Sequence, residues 1–227
     1  MNIRFLFLFV ALGCGTAFGQ AQYTVLWSFG SVPNDGFQPV SSLIFDQNGN
    51  LYGTTEGGGA NCCATQSGIV FELSPTGNGG WTETILYNFC SKLSGDGLCL
   101  DGAHPLAGLV FDSAGNLYGT TYSGGAYDCQ NGLQGCGTVF ELSPSSQGGA
   151  WTETVLYNFC AGGLKGGCQD GAEPSSQLTM DTSGNLYGTT TTGGAGGMNN
   201  VCCWGVQYLS CLIPEEDGPT PFSTTFV

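Results

Sequence analysis

The stretch NLYGTT spans Asn50–Thr55 and returns at Asn116–Thr121 and Asn185–Thr190, each time inside the frame D-x-x-G-N-L-Y-G-T-T. Self-similarity at a near-constant period, here 66 and then 69 residues, marks a repeat architecture. Three further segments recur around the hexamer. SLIFD (Ser42–Asp46) precedes it, GIVFEL (Gly68–Leu73) follows it, and WTETILYNF (Trp81–Phe89) ends the unit. The second copy reads LVFD, NLYGTT, GTVFEL and WTETVLYNF (Trp151–Phe159) in the same order. A lone YTVLWSF (Tyr23–Phe29) resembles the last segment, so the first copy begins partway through a unit.

Each segment is short, rich in β-branched and aromatic residues, and in Thr82–Tyr87 alternates as a half-buried strand does. Between the first two segments stand Asp46-Gln47-Asn48-Gly49, Asp112-Ser113-Ala114-Gly115 and Asp181-Thr182-Ser183-Gly184. The aspartate can bond its own backbone and the glycine supplies a positive φ, which predicts a tight hairpin. Two glycine-rich loops lengthen each unit. One follows NLYGTT (Glu56–Ser67, Tyr122–Cys136); the other ends in D-G-x-x-P at Asp35–Pro39, Asp101–Pro105 and Asp170–Pro174.

Composition agrees. The 227 residues include 40 glycines and only 9% charged residues, which favours turns over solvated helices. The reading is all-β: a β-propeller-like array of about three four-stranded antiparallel blades, with Tyr23–Phe29 as a closing strand. Three blades do not close a ring, so the array is expected to be incomplete and open, with blade edges available for self-association.

Met1–Gly19 carries Arg4, the apolar run Phe5–Leu12 and a small-x-small ending, the pattern of a secretory signal peptide cleaved before Gln20. It is too short for a membrane span. A lipoprotein reading would use Cys14, but Ala11-Leu12-Gly13 is a poor lipobox. Residues 20–203 form the repeat region, in units of about 23–89, 90–159 and 160–203.

From residue 204 the repeat pattern vanishes. Back-translation of Gln207–Val227 with permitted codons, read two nucleotides later, gives VFELPNPGGGWTYTLLYNFC, the missing third and fourth segments. The 204–227 tail is therefore expected to be frameshifted, and Cys211, Glu215, Glu216 and Asp217 receive no functional reading.

Formal charge is −14 with three basic residues, of which Arg4 lies in the leader. Nucleic-acid affinity rests on Lys and Arg neutralising phosphates, so nucleic acid is excluded as a partner. Export makes the twelve cysteines candidates for bridges, and no C-x-x-C pair is present. Cys90 with Cys99, Cys160 with Cys168 and Cys129 with Cys136 each bracket a loop, and local bridges are the simplest pairing. Cys62-Cys63 and Cys202-Cys203 are adjacent pairs whose pairing stays open.

No catalytic, metal or cofactor site is assigned. Asp46-x-Asn48-x-Asn50 has calcium-loop spacing, but Ala114 and Ser183 replace the middle ligand, and a turn cap explains all three copies. Glu72 and Glu141, like Glu83 and Glu153, are duplicated between units, which suits a structural role better than a catalytic pair. His104 is the sole histidine, so no triad or multi-histidine site can form within the chain. Trp27, Trp81, Trp151, Tyr52, Tyr118 and Tyr187 recur in register and read as packing residues, whereas loop residues Tyr122 and Tyr127 are candidate ligand contacts.

The clustering of D-x-x-G-N-L-Y-G-T-T, G-T-V-F-E-L and L-Y-N-F resembles the bacterial tandem-repeat family called GloVer, over Tyr23 to about Cys203. The D-x-x-G-N-L-Y element is also similar to propeller repeats of sensor proteins. The family resemblance implies exported repeats and supplies no catalytic residues. The expected function is non-enzymatic: disulfide-stapled loops presented to an extracellular protein or glycan at the cell surface. The alternatives are an extracellular propeller-type enzyme acting on polysaccharide through a central channel, or a truncated fragment without function of its own.

Overall fold

The computed structural model describes residues 23–61, 67–128, 135–146, 149–161 and 168–194, with the backbone of two further strands at Tyr208–Cys211 and Thr224–Phe226. Among the described residues there is no helix, and none is therefore long and apolar enough to cross a membrane. Strands alternate with glycine-rich turns throughout.

The first unit supplies β1 (Gly36–Phe37), β2 (Ile44–Phe45), β3 (Leu51–Thr55), β4 (Gly57–Gly58), β5 (Ile69–Pro75) and β6 (Trp81–Asn88). The second supplies β7 (Val110–Phe111), β8 (Leu117–Thr121), β9 (Thr138–Ser143) and β10 (Thr152–Asn158). Each forms a four-stranded antiparallel meander, in the orders β2-β3-β5-β6 and β7-β8-β9-β10. Registers coincide: Tyr52 pairs with Glu72 and Gly53 with Phe71, as Tyr118 pairs with Glu141 and Gly119 with Phe140. A Cβ on Gly53 would lie 2.8 Å from Phe71 Cζ, and one on Gly119 would lie 2.6 Å from Phe140 Cζ. The glycine of NLYGTT is thus the hollow that seats the phenylalanine of VFEL.

The last strand of each unit departs from the alternation its sequence suggests. Val70 pairs with Tyr87 and Phe71 with Ile85, so Leu86 is an extra residue; Leu156 is the extra residue between Val155 and Tyr157. Such a bulge re-aims the side chains beyond it. Ile85 packs with Leu51, Ile69, Phe71 and Leu73 on one face, while Leu86 and Tyr87 join the core on the other.

Neighbouring units share cores. Tyr52, Val70, Leu86 and Phe89 pack with Leu109, Leu117, Phe140 and Leu142 of the second unit. Tyr118, Val139 and Phe159 pack in turn with Ala172, Leu178 and Leu186 of the third. Each sheet is too thin to bury both faces alone, so stacking completes the core, as in repeat proteins generally. On the far face of the first unit lie Leu26, Trp27 and Phe29. This segment packs but forms no strand, so the closing strand expected at Tyr23–Phe29 is not formed.

The third unit supplies β11 (Ala172–Pro174), β12 (Thr179–Met180) and β13 (Leu186–Thr192). The tail adds β14 (Tyr208–Cys211), antiparallel to β13, and β15 (Thr224–Phe226), which pairs with both. The register sets Ser210 opposite Gly188, where the other units have phenylalanine. None of the sheets closes on itself. The expected signal peptide, Cys62, Cys63, Cys129, Cys202, Cys203 and Glu215–Asp217 lie outside the described residues.

Candidate functional site

The D-x-x-G-N-L-Y hairpin turns are chemically alike. Asp112 Oδ1 accepts from the backbone N–H groups of Ala114 (2.8 Å) and Asn116 (2.9 Å), while Oδ2 accepts from Asn116 Nδ2 (2.8 Å) and Tyr118 OH (3.1 Å). Asp46 and Asp181 receive the equivalent four bonds. Gly49, Gly115 and Gly184 take φ between 85° and 88° to close the turn. Desolvation raises the carboxyl pKa of Asp46 and Asp112, but the bonds from Asn50, Asn48, Asn116, Ala114 and Tyr118 outweigh it and hold both below the usual value. For Asp181 the Asn185 side-chain and backbone bonds dominate, and the carboxyl is held down to about 2. N–H and O–H hydrogens, not open lone pairs, face the carboxylates, so the cage suits a turn rather than a cation.

The D-G-x-x-P segments form a second repeated element. Gln38, His104 and Glu173 each have φ between 55° and 57°. The His104 N–H donates to Ser67 O (2.9 Å) and the Glu173 N–H to Cys136 O (2.8 Å), in each case crossing to the preceding unit. A Cβ on Gly68 would lie 2.6 Å from Pro105 Cδ, and one on Gly137 equally close to Pro174 Cδ. The segment is therefore a clasp, with backbone bond and proline ring closing on the start of the neighbour's VFEL strand.

Inside the clasp of the second unit is a polar knot. Asp101 Oδ2 accepts from Tyr87 OH (2.7 Å), Ser91 N (2.8 Å) and Ser91 Oγ (2.7 Å), and Oδ1 from Lys92 N (3.2 Å). Lys92 Nζ lies 2.7 Å from Glu153 Oε2, whose side chain is wholly buried. Burial pushes the Glu153 carboxyl up despite the lysine. The third unit keeps Tyr157 OH (2.8 Å) and Ala161 N (3.1 Å) on Asp170 Oδ2.

The first unit builds the knot differently. Counting from Phe29 and Phe89, Trp27 stands for Tyr87, Ser31 for Ser91 and Val32 for Lys92, while Asp35 and Glu83 stand for Asp101 and Glu153. Ser31 N–H donates to Asp35 Oδ2 (3.2 Å). Asp35 Oδ1, Glu83 Oε1 and Trp27 Nε1 are buried and meet no hydrogen-bond partner among the described residues. Desolvation, and then the Asp35 charge, push the Glu83 carboxyl up to about 7.

Disulfides join Cys90 to Cys99 and Cys160 to Cys168, with Cα atoms 4.5 and 4.3 Å apart. They close the loops leading into the second and third clasps. Cys136 is also disulfide-bonded, and its Sγ lies within 4.8 Å of those of Cys160 and Cys168. Those three sulfurs, all committed to bridges, are no thiolate set for a metal. Tyr122 is half-buried and its hydroxyl lies against Glu173, which with burial raises its pKa; Tyr127 is an exposed aromatic whose hydroxyl lies near Tyr157. The two tyrosines thus have different neighbours. Glu72 and Glu141 accept from Ser74 Oγ (2.8 Å) and Ser143 Oγ (2.9 Å) on their own strands. His104 Nδ1 lies 2.7 Å from Ser123 Oγ, and burial lowers its pKa although Glu56 opposes this.

Two roles escaped the sequence reading. Tyr52, Tyr118 and Tyr187 cap the turn aspartate through their hydroxyls, and the signal was tyrosine rather than phenylalanine six residues after each aspartate. Tyr87 and Tyr157 reach the clasp aspartates, a role signalled by Tyr in LYNF and the invariable Asp in D-G-x-x-P.

Three copies of one turn, two of one clasp and two of one four-stranded order define an all-β tandem-repeat protein. The Gloeobacter/Verrucomicrobia repeat family model matches residues 11–201, and the chain belongs to that family. No curated protein matches it.

Proposed function

We propose that this chain is an exported, non-enzymatic repeat protein of the bacterial surface. Its sheets form an open, β-propeller-like array, and its disulfide-stapled loops bind an extracellular protein or glycan. The observation that carries the reading is a convergence of equivalent positions. Ser42, Gly108 and Gln177 occupy the same place in the three units; a Cβ on Gly108 would lie 3.2 Å from Gln177 Cδ, and Ser42 Oγ donates to Gln177 Oε1. First strands meeting while the cores lie between successive sheets is the arrangement of blades about an axis.

The same convergence weighs against a central-channel enzyme, because the Ser42 and Gln177 side chains and the Leu109 carbonyl, just before the three first strands, occupy the place such a site would take. The two carboxyls with a raised pKa among the described residues, Glu83 and Glu153, stand at equivalent positions of successive units, which suits a structural role better than a catalytic pair. The fragment reading retains one specific support, the placing of Ser210 opposite Gly188.

Glycan-array and surface-extract binding by the mature chain tests the proposal. Binding is expected, and it weakens when Cys90 and Cys99 are both replaced by serine. Polysaccharide cleavage, or no binding by a folded chain, would overturn it.

A further inference from the structure

We infer that Asp35 and Glu83 form a binding site for a primary ammonium group. The inference goes beyond the loop-binding reading and does not depend on it.

Its basis is a comparison within the chain. In the second unit the equivalent carboxylates, Asp101 and Glu153, are served by Lys92: its Nζ lies 2.7 Å from Glu153 Oε2 and its backbone N–H donates to Asp101 Oδ1. Tyr87 OH bonds Asp101 and reaches Glu153 at 3.4 Å. Both Asp101 oxygens and Glu153 Oε2 have donors there, and only Glu153 Oε1 is buried without one. In the first unit Val32 replaces the lysine and brings no charge. Asp35 is only 5% exposed, and its Oδ1, like Glu83 Oε1, is buried with no donor among the described residues. Buried carboxylates left in this state are costly, and an opposite charge with N–H donors relieves both the repulsion and the desolvation.

An ammonium has the right chemistry because the chain already uses one at the equivalent position. It brings one positive charge and three donors, matching two oxygens with room for a third acceptor. Calcium would call for six or more oxygens, and the pair offers two. Val32, at the position equivalent to Lys92, is 48% exposed. A partner's lysine side chain and the free amine of an amino sugar carry the same group.

The test uses the mature chain at about pH 8, where primary amines remain protonated. n-Butylamine is titrated in and the Trp27 indole N–H is followed by NMR. A saturable shift is expected, absent with tetramethylammonium, which has the charge but no N–H. Val32→Lys removes no core side chain and places an ammonium in the site covalently, so butylamine affinity falls by roughly tenfold or more; Glu83→Gln does the same. Nα-acetyl-lysine amide and glucosamine, titrated separately, tell a protein source from a glycan source by which binds tighter. No saturable shift, equal binding by tetramethylammonium or calcium, or full affinity in Val32→Lys would each overturn the assignment.

Discussion

Ser42 Oγ donates a 2.9 Å hydrogen bond to Oε1 of Gln177, across 135 positions of sequence. Gln177 Nε2 meanwhile donates to the Leu109 carbonyl at 2.8 Å. One amide therefore ties the first strands of all three units together, each unit contributing one partner. Contacts of such sequence separation form only after the intervening sheets are in place. Gln177→Ala leaves the Leu109 carbonyl short of a donor and is expected to lower stability by about 1 kcal/mol. Urea unfolding measures this, and an unchanged midpoint would show that the junction contributes nothing.

The turn aspartates predict acid sensitivity. Their carboxyl pKa values are depressed in the folded chain, to about 2 for Asp181. A depressed carboxyl stabilises the fold fully above its unfolded value of about 4, and the contribution is lost as pH falls through the folded value. Thermal stability should therefore drop between about pH 4 and pH 2. Asp112→Ala removes a four-bond cage and is expected to cost about 1–2 kcal/mol at neutral pH. It should also flatten part of the acid limb, and a variant as acid-sensitive as the parent would contradict this.

Glu83 predicts the opposite slope. Its folded pKa is raised, by desolvation first and Asp35 second, to about 7. A raised carboxyl favours the fold fully below the unfolded value of about 4.3, and that stability is lost as pH rises through the folded value. Stability should thus decline from about pH 4.5 to pH 7, above the acid limb of the turn aspartates. In Val32→Lys the new ammonium opposes protonation of the pair, and the decline should shrink. Differential scanning calorimetry across this range reads both; a flat profile in the parent would contradict a raised Glu83 carboxyl.

Much of the fold was legible because each strand repeats with its turn residues attached. D-x-x-G marks the hairpins, and the glycines at 49, 115 and 184 take the positive φ that the frame implies. The clasp was visible only as a motif. That Gln38, His104 and Glu173 share a left-handed φ depends on a bond to the neighbouring unit, which no local pattern carries. The bulges at Leu86 and Leu156 were hidden for a similar reason. Thr82–Tyr87 alternates cleanly, yet Tyr87 must turn toward Asp101, and that tertiary contact overrides the period. The site around Asp35 was least legible: its composition differs from its counterpart at Trp27 and Val32, and the difference has meaning only once Lys92 is seen beside Glu153.

The last prediction concerns the third sheet. In the first two units the phenylalanine of VFEL sits over the glycine of NLYGTT, and Phe71 and Phe140 are almost wholly buried there. The tail offers Ser210 opposite Gly188. In the first two units, replacing that buried phenylalanine by a small residue would cost about 3–5 kcal/mol. A chain whose tail from Gln207 is read two nucleotides on places Val-Phe-Glu-Leu in that strand, followed by a new WTYTLLYNF edge. It is expected to unfold at a higher temperature, with slower amide exchange in Leu186–Thr192. Equal or lower stability in the re-read chain would show that the third unit is complete with the tail it has, and the frameshift expectation would fall.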